Sequence, residues 1–408
     1  MLHGNRFVIL CGYVHFPSMY KIILPTLCAW MACLGTSIAQ PNSISVPESF
    51  LNAFDSLYMK NLPPEVPGGS ILVMKGDEVI FSKAYGLADL ETRSPNTPQT
   101  VYNTGSISKT FVATGILMLA EEGKLSLEDP LLMYFPQMKS PEIGKKVTLR
   151  HMLSHTSGLK DSRGISDSTE HYLTADDWDN WSPILANDSL VFEPGAQFEY
   201  SNPAYNGLAL VIEQVSGQPW REFIQERIFD VVGMPLSTIT DVQHPTRGVA
   251  HAYLYDEEEE VYNEADFGEI PTWNAAGNGG VWSTTEELAK YENALRAGTL
   301  LNLELFTEAR TAWQPDNWES PESPGIGLSW FVDYHDGWCQ YYPQAEFPSS
   351  LSVGHTGSQG GFSSFYIAFP EYDLTYIALF NSPIKPHSLF VMCGGMDILQ
   401  QYDWLQDY

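Results

Sequence analysis

The period of the apolar positions changes along the chain. Over residues 47–61 they fall at Phe50, Leu51, Phe54, Leu57 and Tyr58, a spacing that predicts a helix. Over residues 68–90 the pattern turns strand-like. Ser70-Ile71-Leu72-Val73-Met74 and Val79-Ile80-Phe81 flank Lys75-Gly76-Asp77-Glu78, which reads as an antiparallel hairpin. Residues 106–122 form an apolar helical run ended by Gly123. From about 124 to 275 the chain is mixed, with helical pieces at 205–215 and 219–231 between proline and glycine breaks. Residues 284–297 predict another helix, capped by Thr285 or Ser283. Strand patterns return at 328–332, 361–369 and 375–380, and 389–402 reads as a closing helix despite Gly394-Gly395. Strands at both ends around a helical middle imply an α+β fold with one sheet built from distant segments. The α/β part would take about 47–115 and 276–405, and a helical subdomain about 116–275. A cleft between two such parts is a common place for an active site.

A length of 408 residues suits one catalytic unit after a leader, and 44% hydrophobic residues suffice for a sizeable core. The net charge of −29 repels phosphates and argues against nucleic acid or an anionic membrane as partner. The run Asp256-Glu257-Glu258-Glu259-Glu260 lacks the spaced ligand pattern of a calcium loop and reads as a solvated loop.

Residues 1–39 resemble a leader: Lys21, an apolar stretch over 22–34, then small residues at Ser37 and Ala39 ahead of Gln40, with Met19 an alternative start. The stretch is short for a membrane span, and the expectation is export to the periplasm or beyond. Cys33 after Ala32 raises a lipid anchor, against which Trp30 and Met31 count. Three of five cysteines (Cys11, Cys28, Cys33) lie in this segment; Cys339 and Cys393 remain, either paired or both free.

Three short motifs carry chemistry. In Ser106-Ile107-Ser108-Lys109, a serine and a lysine three apart share a helix face, and burial of a lysine lowers its pKa toward that of a base. The first helical turn also offers free N–H groups to a developing negative charge. In Tyr200-Ser201-Asn202, a tyrosine beside a buried ammonium can shuttle a proton, and an amide can bind a substrate carbonyl without adding charge. In His355-Thr356-Gly357-Ser358, His355 and Thr356 are candidates to bind a carboxylate or carbonyl. Gly357 lets a substrate lie against the strand, and the Ser358 N–H with that of Ser106 would make an oxyanion hole.

In this order, the three motifs resemble those of the serine β-lactamase and penicillin-binding protein superfamily, in particular its class C β-lactamase and D-alanyl-D-alanine carboxypeptidase branch. Residues 149–159 (Leu-Arg-His-Met-Leu-Ser-His-Thr-Ser-Gly-Leu) and 276–284 (Ala-Gly-Asn-Gly-Gly-Val-Trp-Ser-Thr) are similar to that branch too. The resemblance spans about residues 50–385. It implies a five-stranded antiparallel sheet with flanking helices and a mainly helical subdomain. It also implies an acyl-enzyme on Ser106, with Lys109 and Tyr200 as acid/base partners and no cofactor. Class C β-lactamases carry Lys where this chain has His355, which favours a peptidase- or esterase-like activity over penicillin hydrolysis.

Competing features are weaker. His151 and His155 are four apart, but no Glu follows His151 as a zinc protease helix requires, so no metal site is expected. No Gly-x-Ser-x-Gly elbow accompanies Ser106. Trp178, Trp181 and Phe192 read as core or as the wall of an acyl pocket. The expected activity is acyl transfer to water on a D-peptide. The alternatives are a β-lactam or a small ester as substrate, and a binding or sensing module that does not turn over.

Overall fold

The computed structural model describes residues 44–161, 176–239, 248–265, 276–319, 325–332, 351–383 and 388–405. The leader reading of residues 1–39, and Cys339, lie outside them. Cys393 is buried and disulfide-bonded. Among the described residues, no helix is long and apolar enough to cross a membrane.

The elements that position the site are helices α1 (Glu48–Asn61), α2 (Ser108–Glu121), α3 (Asn202–Ser216), α4 (Thr285–Arg296) and α5 (Ser388–Gln401). The strands are β1 (Gly69–Lys75), β2 (Glu78–Tyr85), β3 (Gly325–Ile326), β4 (Phe331–Val332), β5 (Val353–Gln359), β6 (Phe362–Phe369) and β7 (Leu374–Phe380). They form one sheet in the order β2-β1-β7-β6-β5-β4-β3. The last strand, β7, lies between β1 and β6, antiparallel to both, with Ile71 opposite Ala378 and Tyr366 opposite Ile377. The sheet therefore has seven strands rather than five, because the two-residue β3 and β4 extend the β5 edge. The strand expected over 328–332 is reduced to Phe331–Val332. Ser329 takes a left-handed φ of 92° and the Gly327 N–H bonds Trp330 O, so the chain turns there.

Side chains alternate between the two faces, as strand geometry requires. Ile71, Val73, Phe365, Ile367, Tyr376 and Phe380 join Phe50, Phe54 and Tyr58 of α1 and Met392 and Met396 of α5 in one apolar cluster. Leu72, Met74, Tyr366, Ile377 and Leu379 join α2, α3 and α4 in the other. Helix α2 is buried all round from Ser108 to Leu119, which explains why its apolar residues form no stripe.

Other boundaries differ from the sequence reading for local reasons. The run beginning at Ser106 opens as a 3-10 turn, Gly105–Ile107, and becomes α-helical at Ser108. Thr284, and neither Ser283 nor Thr285, caps α4: its Oγ1 accepts from Glu287 N at 3.1 Å, while Ser283 is paired with Tyr102. The 219–231 helix contains a π-turn at Gln225–Phe229. Helix α5 runs through Gly394-Gly395, since a Cβ on Gly395 would lie 2.2 Å from Tyr376 Oη. The acidic run tips a hairpin, Tyr253–Asp256 with Val261–Glu264, and Asp256 Oδ1 accepts from Glu258 N and Glu259 N.

Candidate active site

Ser106 sits in the 3-10 turn ahead of α2, partly exposed. Gly105 before it has φ 51°, and a Cβ there would stand 2.9 Å from Ser358 N. A Cβ on Gly357 would stand 2.1 Å from Thr104 O and 3.0 Å from Ser106 N. Both glycines are thus required by the contact of the serine turn with β5, which brings the Ser106 and Ser358 backbone nitrogens to one place. The turn is pinned further by Ser364 Oγ donating to Thr104 O (2.7 Å) and by Gly105 N donating to Asn103 Oδ1 (2.7 Å).

One turn on, Lys109 is fully buried, and its Nζ donates to Ser106 Oγ at 3.0 Å and to Asn278 O at 2.6 Å. The three-residue spacing on a helix makes the first contact. The second depends on residues 276–284 lying against the serine turn: Thr104 N donates to Val281 O (2.9 Å) and Val281 N to Ser108 Oγ (2.9 Å).

Tyr200 covers Lys109, with Nζ 5.1 Å from its ring centre. The ring stacks on His155 at 4.4 Å and lies 6.2 Å from His355. His155 holds the Tyr200 segment in place: its Nδ1 accepts from Ser201 N (3.0 Å) and its carbonyl from Glu199 N (2.9 Å). His151 Nδ1 accepts from Thr148 N in a capping box, so the Nδ1 atoms of both histidines are taken by backbone N–H groups. Asn202 opens α3 and is partly exposed; none of the contacts among the described residues ties its side chain to Ser106.

His355 departs from its expected part. It is 1% exposed, with Nδ1 2.5 Å from Thr356 O, and Thr356 and Ser358 present the open surface of the motif instead. Burial, reinforced by the Lys109 charge, pushes His355 down to about 3. Burial, Lys109 and His355 hold His155 well below the usual histidine range. Both imidazoles beside Lys109 are therefore neutral at neutral pH.

A family model described as Beta-lactamase matches residues 59–390. The chain belongs to the beta-lactamase family. This is a family of serine hydrolases. Penicillin-binding protein 4* of Bacillus subtilis (strain 168) is 28% identical over 325 residues, 77% of this chain and 68% of that protein. Protein flp of Staphylococcus aureus (strain MW2) is 25% identical, over 79% of this chain and 61% of its own length. Among solved structures, the octameric penicillin-binding protein homologue of Pyrococcus abyssi superposes with a TM-score of 0.67 at 28% identity, over 87% of this chain and 77% of that one. The D-amino acid amidase of Ochrobactrum anthropi SV3 shares the fold, with a TM-score of 0.69 at 22% identity over 86% and 98%.

Within this family member the structure separates residues that sequence reading grouped together. Trp181 is core, Trp178 is 45% exposed and Phe192 is partly buried. It also adds residues that reading did not single out. Asn278 O reaches Lys109 from 169 positions away, and no local pattern announces that contact. Asp177 is buried under α3, with Oδ1 accepting from Asn206 Nδ2 (2.7 Å) and Gly277 N (2.8 Å) and Oδ2 from Trp220 Nε1 (2.8 Å). Burial pushes its carboxyl up to about 7, against those N–H donors and the Arg221 charge. His155 was visible in the sequence, but its stacking under Tyr200 was not.

Proposed function

We propose that this chain is an exported serine hydrolase that forms an acyl-enzyme on Ser106 and cleaves peptides ending in D-amino acids. The observation that carries the reading is the 3.0 Å contact from Lys109 Nζ to Ser106 Oγ under the Tyr200 ring. In its neutral amine form, Lys109 accepts the Ser106 hydroxyl proton as Oγ bonds to the substrate carbonyl carbon. The Ser106 and Ser358 N–H groups hold the resulting oxyanion, a role supported by the close approach of the serine turn to β5. Tyr200 hands a proton to the leaving amine as the carbon–nitrogen bond breaks. Water then attacks the ester as its proton passes to the Tyr200 oxygen, the carbon–Oγ bond breaks, and Ser106 Oγ takes back the proton held by Lys109. Asn202 and Thr356 bind substrate carbonyl and carboxylate groups, while His355 supports Tyr200. A neutral residue in place of a charged lysine favours the peptide over β-lactam hydrolysis. The penicillin-binding relatives at 28% identity support a D-peptide substrate as well. The leader-like pattern of residues 1–39 supports export.

The test exposes residues 40–408 to a fluorescent penicillin and to a D-alanyl-D-alanine peptide, following intact mass and products beside Ser106→Ala. One long-lived penicillin adduct on the normal protein, none on the variant, and release of D-alanine are expected. Rapid drug hydrolysis would assign a β-lactamase, and a permanent adduct without peptide cleavage would assign a sensing module. Absence of any adduct and any cleavage would overturn the reading.

A further inference from the structure

Lys109 meets Ser106 by helix geometry, but its second contact depends on a loop whose conformation the helix does not control. Gly277 and Asn278 are each tied down. Gly277 donates its N–H to Asp177 Oδ1 at 2.8 Å. Asn278 accepts at its side-chain Oδ1 from Asn206 Nδ2 at 3.0 Å, and that same Nδ2 donates to Asp177 Oδ1 at 2.7 Å. The Trp220 indole fixes the other carboxylate oxygen. With both flanking groups held, the Asn278 carbonyl faces Lys109 Nζ at 2.6 Å.

We infer that Asp177 is a positioning residue for Lys109, acting through the loop residues Gly277 and Asn278. The inference rests on the reading that Lys109 serves Ser106. Three donors from three separate segments converge on this one side chain, and a carboxylate offers acceptors to all of them. An amide of the same shape would present an NH2 group to one of those donors and break the set. Placing a carboxylate where it is 7% exposed costs solvation, which a site needing only packing would avoid with an apolar residue. Trp220, Asn206 and Asp177 are all buried, so the tether is shielded from competing water. The charged group that bears on the carboxylate is Arg221, on the helix after α3.

The experiment uses the full chain with 13C-labelled lysine side chains, the Lys109 signal being the one lost in Lys109→Arg. The normal protein and Asp177→Asn are compared for that signal across pH, and for turnover of a nitrophenyl acetate ester and acylation by a fluorescent penicillin. Asp177→Asn is expected to shift the Lys109 titration and to lower kcat by about a hundredfold with KM little changed, as for a reacting group displaced by about 1 Å. An unmoved Lys109 signal with normal kcat overturns the positioning role and leaves the Ser106 reading standing. A moved signal in a chain inert toward every probe overturns the Ser106 reading and keeps the tether. If Asp177→Asn fails to fold, Asn206→Ala removes the Nδ2 bridge from Asp177 to Asn278 and leaves the Gly277 N–H to Asp177 Oδ1 bond in place. The Lys109 titration must then shift from that of the normal protein, and an unchanged signal overturns the inference.

Discussion

On one face of the sheet, α1 and α5 close over Ile71, Val73, Phe365, Ile367, Ala378 and Phe380 in a single apolar and aromatic cluster. The opposite face, under α2, α3 and α4, buries Lys109, His155, Asp177, Asn206, Asn278, Glu292, Arg310 and His355 among its apolar residues. Apolar burial needs no partner and tolerates imprecision, whereas each buried polar group must find a counterpart or lose its solvation uncompensated. The second face spends its polarity in two ways. Around α4, Glu292 binds Arg310 through both oxygens (2.9 and 2.6 Å) and Tyr366 Oη also meets it; the carboxylate is held below its usual range and the guanidinium above, which locks both charges. Around α2, Lys109 donates to a hydroxyl and a carbonyl with neutral imidazoles nearby, an arrangement in which a proton can move. Buried polarity locked by opposite charge is structural, and buried polarity set against a hydroxyl at the surface is where chemistry is expected.

The comparison breaks most sharply if the faces exchange roles under mutation. Ser106→Ala is expected to cut turnover by at least about a thousandfold with the melting temperature unchanged. Phe54→Ala, on the apolar face, should instead cost about 3–5 kcal/mol of stability by opening a cavity. Its activity per folded molecule should stay normal. Denaturant unfolding and active-site titration on both variants decide this, and loss of activity per folded molecule in Phe54→Ala would erase the distinction.

Glu292→Gln tests the locked pair. It leaves the Arg310 charge buried beside a neutral amide and should destabilise by about 3–5 kcal/mol in chemical denaturation. Replacing both residues by Met should recover most of that loss. A single variant as stable as the normal protein would mean that the pair is solvated in solution.

Smaller effects appear in pH dependence. The folded state holds His355 at about 3 against an ordinary 6.5, so it binds fewer protons than the unfolded chain between those values. That contribution to stability is complete above about 6.5 and is lost as pH falls toward 3. Asp177 runs the other way. Its folded value of about 7 lies above an ordinary 3.8, so its protonated form favours the fold at low pH and that contribution is lost as pH rises from about 4 to 7. Melting curves across pH should therefore show the advantage of the normal protein over His355→Gln shrinking on acidification, and its advantage over Asp177→Asn growing. Parallel curves for all three proteins would contradict both shifts. At the lower limit, Lys139→Ala, which removes an exposed pair with Asp188, should leave the melting temperature unchanged.

What could be read from sequence follows the range of the interaction that sets it. The α1 pattern, the β1–β2 hairpin and the α2 run rest on local periodicity, and they form where expected. Ser106 and Lys109 are three apart along one continuous helical stretch, a 3-10 turn leading into α2, so their contact is a local matter too. The seven-strand count was not legible, because β3 and β4 are two residues each and exist only by pairing beside β5. The cap of α4 was misread by one position because Ser283, Thr284 and Thr285 offer the same hydroxyl chemistry, and long-range pairing of Ser283 with Tyr102 decides among them.

By itself, then, the sequence determined the chemical groups, their order and the local geometry of the nucleophile with its lysine. Tertiary structure alone decided what surrounds them. Asn278 O is brought to Lys109, His155 slides beneath Tyr200, His355 is buried neutral and Asp177 is drawn under α3 by contacts spanning tens to hundreds of residues. Such contacts leave no periodicity in the chain, because their partners are chosen by the packing of whole elements and not by neighbours in sequence.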